Sequence, residues 1–117
     1  MGRLTTHVLD LSTGRPAAGL TIRLLVVSPG ESRAIVEART NADGRLDKPL
    51  LEGAAMVPGV YELRFDAGAY FDEQGLALPE PKFLDEVVLR FGIASADQHY
   101  HVPLLLSPFG YSTYRGS

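Results

Sequence analysis

Along most of the chain, apolar and polar residues alternate with a period of two, in short segments separated roughly every ten residues by Gly, Pro, Asn or Asp. Successive side chains of a strand point to opposite faces, so this pattern describes half-buried strands, and the helical period is nearly absent. The architecture is thereby restricted to an antiparallel sandwich or barrel. Residues 4–9 form the first strand candidate. The turn-rich residues 12–19 separate it from residues 20–27, where Leu20, Ile22, Leu24 and Val26 share a face. Residues 34–40 follow, ended by Asn41-Ala42-Asp43-Gly44, whose Asp-Gly pair favours a tight turn. A short, weak strand is expected near Leu46. Residues 60–65 then place Tyr61, Leu63 and Phe65 inward and Glu62 and Arg64 outward, and residues 86–93 place Val87, Leu89, Phe91 and Ile93 on one face. Between these two, residues 67–75 suit one or two helical turns ended by Gly75, and the prolines of residues 76–82 suit a loop. With 117 residues, 45% of them apolar, the chain supports a real core and is read as one domain, residues 1–117.

Composition excludes several partners. A formal charge of −3 without a stripe of Lys and Arg gives no footprint for a nucleic acid. No apolar run reaches the roughly 20 residues that cross a bilayer, so no membrane partner is expected. The absence of cysteine removes disulfides and thiolate chemistry. The first residues lack a charged-then-apolar leader pattern, and the expected location is cytoplasmic.

The last two strands are expected over residues 99–108 and 111–117, joined through Ser107-Pro108-Phe109-Gly110, a turn with Pro second and Gly fourth. Parity puts Tyr100, Val102, Leu104 and Leu106 on the core face, and His99, His101, Pro103 and Leu105 on the other. If Ser107 faces Gly110, a regular ladder sets Pro103 opposite Tyr114 and His101 opposite Gly116. Residues 4–9 repeat the pattern, with Leu4, Thr6 and Val8 on one side and Thr5, His7 and Leu9 on the other. A non-core face that carries Pro103 and Leu105 is too apolar to stay solvated, so another subunit is expected to cover it.

Leu4-Thr5-Thr6-His7-Val8-Leu9-Asp10, Gly14-Arg15-Pro16-Ala17, Asp43-Gly44-Arg45, the run HYHVPLLLSP and the terminal Tyr114-Arg115-Gly116-Ser117 resemble the 5-hydroxyisourate hydrolase family, the enzymatic branch of the transthyretin fold. The terminal tetrapeptide is the most specific mark, because the hormone-carrying transthyretins share the fold without it. The resemblance covers essentially the whole chain. It implies an all-β, transthyretin-like sandwich of two four-stranded antiparallel sheets with one short helix. It also implies a homotetramer with active sites at the dimer–dimer interface. The implied reaction opens the ring of 5-hydroxyisourate in urate breakdown, with His7, Arg45, His101 and Ser117 as catalytic residues. His7, Arg45, Tyr114, Arg115 and Gly116 are the implied substrate-binding residues.

These residue types suit that chemistry. Histidine titrates near working pH and can take a proton from water. Two neighbouring imidazoles titrate as a pair, and the residues leave open which one is the base. Arg45 offers a charged, planar set of donors for carbonyl oxygens. Ser117 brings a hydroxyl and the terminal carboxylate, and no Ser-His-acid motif surrounds it, so water attack is preferred over an acyl-enzyme. No cofactor is expected. The rival chemistry is a zinc site built on His99, His101 and His7, which lacks a clear supporting carboxylate beyond Asp97. The non-enzymatic alternative is a transthyretin-like carrier of a small aromatic ligand, against which Tyr114 on the channel-facing side would close a through-channel. A purely structural module leaves three outward histidines without a use.

Overall fold

The computed structural model describes residues 1–116. Its elements run β1 (Arg3–Asp10), β2 (Arg15–Pro16), β3 (Thr21–Ser28), β4 (Glu31–Arg39), β5 (Leu51–Glu52), β6 (Gly59–Asp66), α1 (Ala67–Glu73), β7 (Glu86–Ile93), β8 (Tyr100–Ser107) and β9 (Gly110–Thr113). One sheet has the order β2-β1-β8-β9, with β5 paired to the start of β1, and the other has the order β4-β3-β6-β7. This is the expected two-sheet sandwich with one short helix. The alternation works as read, since Leu4 and Val8, Ile22 and Leu24, Leu63 and Phe65, and Leu104 and Leu106 all point between the sheets and are fully buried. Each such side chain contributes about 1.5–3 kcal/mol by leaving water.

The pairing differs from a plain antiparallel sandwich at one place. β1 and β8 run parallel, from Leu4 opposite Tyr100 to Asp10 opposite Leu106. No hairpin turn dictates their direction, because the whole second sheet lies between them in sequence. Thr6 fixes the register from inside, being only 3% exposed and donating its hydroxyl hydrogen to the Val102 carbonyl at 2.8 Å.

Several local expectations need correction. The short strand expected near Leu46 forms instead at Leu51–Glu52, against Arg3 and Leu4. Near Leu46 the chain makes a single bridge, Arg45 with His7. Within the turn-rich residues 12–19, Arg15–Pro16 pairs with Leu9 and Asp10. Regular pairing of the last strand stops at Thr113. Glu62 lies on the outer face, as its parity requires, yet it is only 4% exposed. Arg90, directly across on β7, and Arg64 each donate two N–H groups to its carboxylate. Those two guanidinium groups hold the Glu62 carboxyl below its usual range, against burial that raises it. Leu25, opposite Glu62 on β3, is buried with it, whereas Val26 is only partly buried.

The helix is tied to the end of β1 by a buried polar contact. Tyr70 donates its phenol hydrogen to Asp10 Oδ2 at 2.7 Å, while Ser12 donates to Oδ1 of the same carboxylate. Asp10 is 1% exposed, and burial followed by this carboxylate pushes the Tyr70 phenol well above its ordinary value. Tyr70→Phe leaves one carboxylate oxygen of Asp10 without that donor. Urea unfolding is expected to show a loss of about 1–3 kcal/mol with an unchanged far-ultraviolet spectrum. An unaltered unfolding free energy would contradict this role.

Candidate functional site

The outer face of the β2-β1-β8-β9 sheet collects the chemistry. Thr5, His7 and Leu9 leave β1 on that side, and His101, Pro103 and Leu105 leave β8 on it, each alternating with core residues. In a parallel ladder paired residues project from the same face. The register Thr5 with His101 and His7 with Pro103 therefore sets the two histidines on adjacent strands, two positions apart. His101 Nδ1 and Thr5 Oγ1 lie 2.8 Å apart in a hydrogen bond.

Arg45 arrives from the turn after β4. Asn41 accepts from the backbone N–H groups of Asp43 and Arg45 through Oδ1, at 2.9 and 3.2 Å, and its own N–H donates to the Arg45 carbonyl at 2.8 Å. Gly44 accepts from the Val8 N–H at 2.8 Å and has φ +71. A Cβ on Gly44 would stand 2.4 Å from the Val8 carbonyl oxygen, so only glycine lets the turn press this closely on β1. The consequence is the His7–Arg45 backbone bridge, and the Arg45 charge acts on both imidazoles.

Electrostatics follow from that convergence. Burial holds the His7 imidazole below its ordinary pKa, Arg45 adds to the effect, and the backbone and carboxylate of Asp43 oppose it. His101 is lowered by burial, then by Arg45, then by His7. Near neutral pH the neutral form of both imidazoles is thus favoured beside the Arg45 guanidinium, a set that can accept a proton and stabilise a developing negative charge. A cleft of about 540 Å³ in front of His101 and Arg45, lined in part by Arg3, Thr5, Asp47, Lys48 and His99, has the size of a small-molecule site.

The C-terminal segment borders a second open cleft behind His101, together with Asp97 and His99. Gly116 returns to β8 where parity placed it, opposite His101, donating its N–H to the His101 carbonyl at 2.7 Å. Tyr114 is 59% exposed and lines the same cleft. Arg115 also lines it. Its guanidinium carbon sits 4.1 Å from the centre of the Tyr100 ring, and Nη2 donates to Gln98 Oε1 and the His99 carbonyl at 3.1 and 3.0 Å. Ser117 lies outside the described residues. His99 is exposed just before β8. Among the described residues no group of three or more His, Cys, Asp or Glu side chains could hold a metal ion. Sequence reasoning passed over Thr5, Arg3 and Lys48. The alternation of β1 put Thr5 on the His7 face, but only the parallel register carries it to His101.

Comparison with known proteins gives a consistent set of likenesses. Residues 4–116 match the family described as HIUase/Transthyretin family. The chain is 60% identical over 117 residues to a 5-hydroxyisourate hydrolase of Pseudomonas aeruginosa, covering 100% of this chain and 93% of that protein. Among solved structures, it resembles Klebsiella pneumoniae 5-hydroxyisourate hydrolase with a TM-score of 0.79 and 37% identity, covering 100% of both chains. It resembles an (S)-allantoin synthase with a TM-score of 0.94 and 48% identity over 99% of this chain, but it spans only 44% of that larger chain.

Arg45→Gln removes the charge that both imidazoles feel. In an NMR titration of the ring protons, His7 and His101 are expected to change protonation below pH 6.5 in the wild type and at higher pH in the variant. Midpoints that do not move would contradict the placement of Arg45.

Proposed function

The chain belongs to the HIUase/Transthyretin family, and we propose that it is the hydrolase of that family. It opens the ring of 5-hydroxyisourate to give 2-oxo-4-hydroxy-4-carboxy-5-ureidoimidazoline in purine (urate) degradation. One observation carries the reading: His7, His101 and Arg45 converge on one sheet face, with both imidazoles biased to the neutral, proton-accepting form.

In this reading the imidazole pair takes a proton from a water molecule as its oxygen bonds to a ring carbonyl carbon. The carbonyl π pair moves onto oxygen, where the Arg45 guanidinium stabilises the charge. Collapse of this tetrahedral species breaks the ring C–N bond, and the proton held by the imidazoles goes to the leaving nitrogen. Positioned acid–base groups of this kind are worth roughly 10²–10⁴-fold in rate. The exposed Tyr114 ring is proposed to floor the pocket, and the Gly116 backbone, packed directly on the His101 side chain, to border it. Arg115 holds the terminal segment through Tyr100, so its contribution to binding is through position. Ser117 is proposed to contribute its hydroxyl to water or substrate, with no covalent intermediate.

The working form is proposed to be a cytoplasmic homotetramer with the sites at the dimer–dimer interface. Support comes from the face itself, where the single chain leaves Leu9 and Leu105 only half-buried beside the histidines. The carrier alternative shares the fold and nothing in the fold separates the two. What favours the enzyme is the His–His–Arg cluster and the 60% identity to a hydrolase.

The test is an absorbance assay with freshly generated 5-hydroxyisourate. The wild type is expected to accelerate its loss, and His101→Asn and a chain ending at Tyr114 to lose about 10²-fold or more. Wild-type protein that leaves the uncatalysed decay unchanged would overturn this function.

A further inference from the structure

Two threonines stand side by side on β1, and their hydroxyls do different things. Thr6 turns into the core and bonds the Val102 carbonyl. Thr5 is half-buried on the outer face, and the hydrogen-bond partner of its side chain among the described residues is the His101 imidazole, at 2.8 Å from Nδ1. A threonine that only stabilises a sheet is expected to pair with backbone, as Thr6 does.

The rest of the His101 ring is also constrained. Gly116 packs against the side chain, where a Cβ would come within 2.9 Å of Cδ2, 3.3 Å of Cβ and 3.4 Å of Cγ. The Gly116 N–H bonded to the His101 carbonyl fixes that approach. With Nδ1 bonded to Thr5 and Cδ2 beside Gly116, Nε2 is the ring nitrogen with no hydrogen bond to the described residues.

We propose that Thr5 is a positioning residue for the hydrolysis: its hydroxyl holds Nδ1 of His101 so that Nε2 is the nitrogen that exchanges protons with water and the leaving group. This rests on the hydrolase reading of the site. When Oγ1 accepts the Nδ1–H, the neutral ring carries its lone pair on Nε2, as a base must. After Nε2 takes a proton, the Nδ1–H contact persists and the same nitrogen returns the proton. A carboxylate in this position would add negative charge and favour the imidazolium, whereas a hydroxyl orients the ring without doing so. The stiff χ1 of a β-branched side chain and the parallel register hold the oxygen in place.

Thr5→Val keeps shape and strand preference and removes the hydroxyl, while Thr5→Ser restores it. In the full-length protein, Thr5→Val is expected to lower kcat about tenfold or more with KM within about twofold, and Thr5→Ser to keep most of kcat. The His101 ring nitrogens are expected to show one tautomer in the wild type and Thr5→Ser and averaged shifts in Thr5→Val. Wild-type turnover or unchanged nitrogen shifts in Thr5→Val would overturn the assignment, as would equal losses in both variants. Failure of the wild type to hydrolyse 5-hydroxyisourate would instead sink the functional reading, and the nitrogen spectra would still decide whether Thr5 sets the His101 tautomer.

Discussion

The parallel ladder between β1 and β8 is the constraint from which the site follows. Side chains alternate with a period of exactly two, so a slip of one residue would carry every outer residue of one strand to the core face. Here Leu4, Val8, Leu104 and Leu106 fill the core and Thr6 is hydrogen-bonded across to Val102, so that slip would bury polar groups and expose leucines. Core packing thus enforces the register, and the register brings Thr5 to His101 and His7 within reach of both. The geometry of the candidate site comes as a by-product of burying the other face.

Onto this frame the turn from Asn41 to Arg45 adds the charge. Its close approach depends on Gly44 and on the Asn41 side chain, and it delivers a guanidinium to a face that already has two partly desolvated imidazoles. Burial and a neighbouring cation act in the same direction, against the imidazolium. Among the described residues no carboxylate offsets these effects at His101, so the neutral imidazole is favoured there and the guanidinium remains available for a developing negative charge.

Much of this was legible in the sequence wherever local geometry governs. Ser107-Pro108-Phe109-Gly110 fixes a hairpin, and counting back from Ser107 opposite Gly110 gives His101 opposite Gly116, the pairing observed. The one short helix and the inward sets of β6 and β7 follow from alternation and turn residues in the same way. Non-local pairing was not legible. Nothing in residues 3–10 says that β8 lies beside them in parallel, and so the role of Thr5 was invisible. The burial of Glu62 depends on Arg64 and Arg90 meeting it from two strands, and β5 is a two-residue pairing with no pattern to read. Regular pairing of the last strand stops at Thr113, Arg115 lies over the Tyr100 ring, and the chain meets β8 again at Gly116.

The central claim is that the outer face of this sheet is a hydrolytic site completed by further copies of the chain. Active-enzyme sedimentation, in which the boundary is followed by consumption of freshly generated 5-hydroxyisourate, measures the size of the species that turns over. The account predicts activity moving as a four-chain assembly. Activity moving as the single 12.7 kDa chain would contradict it.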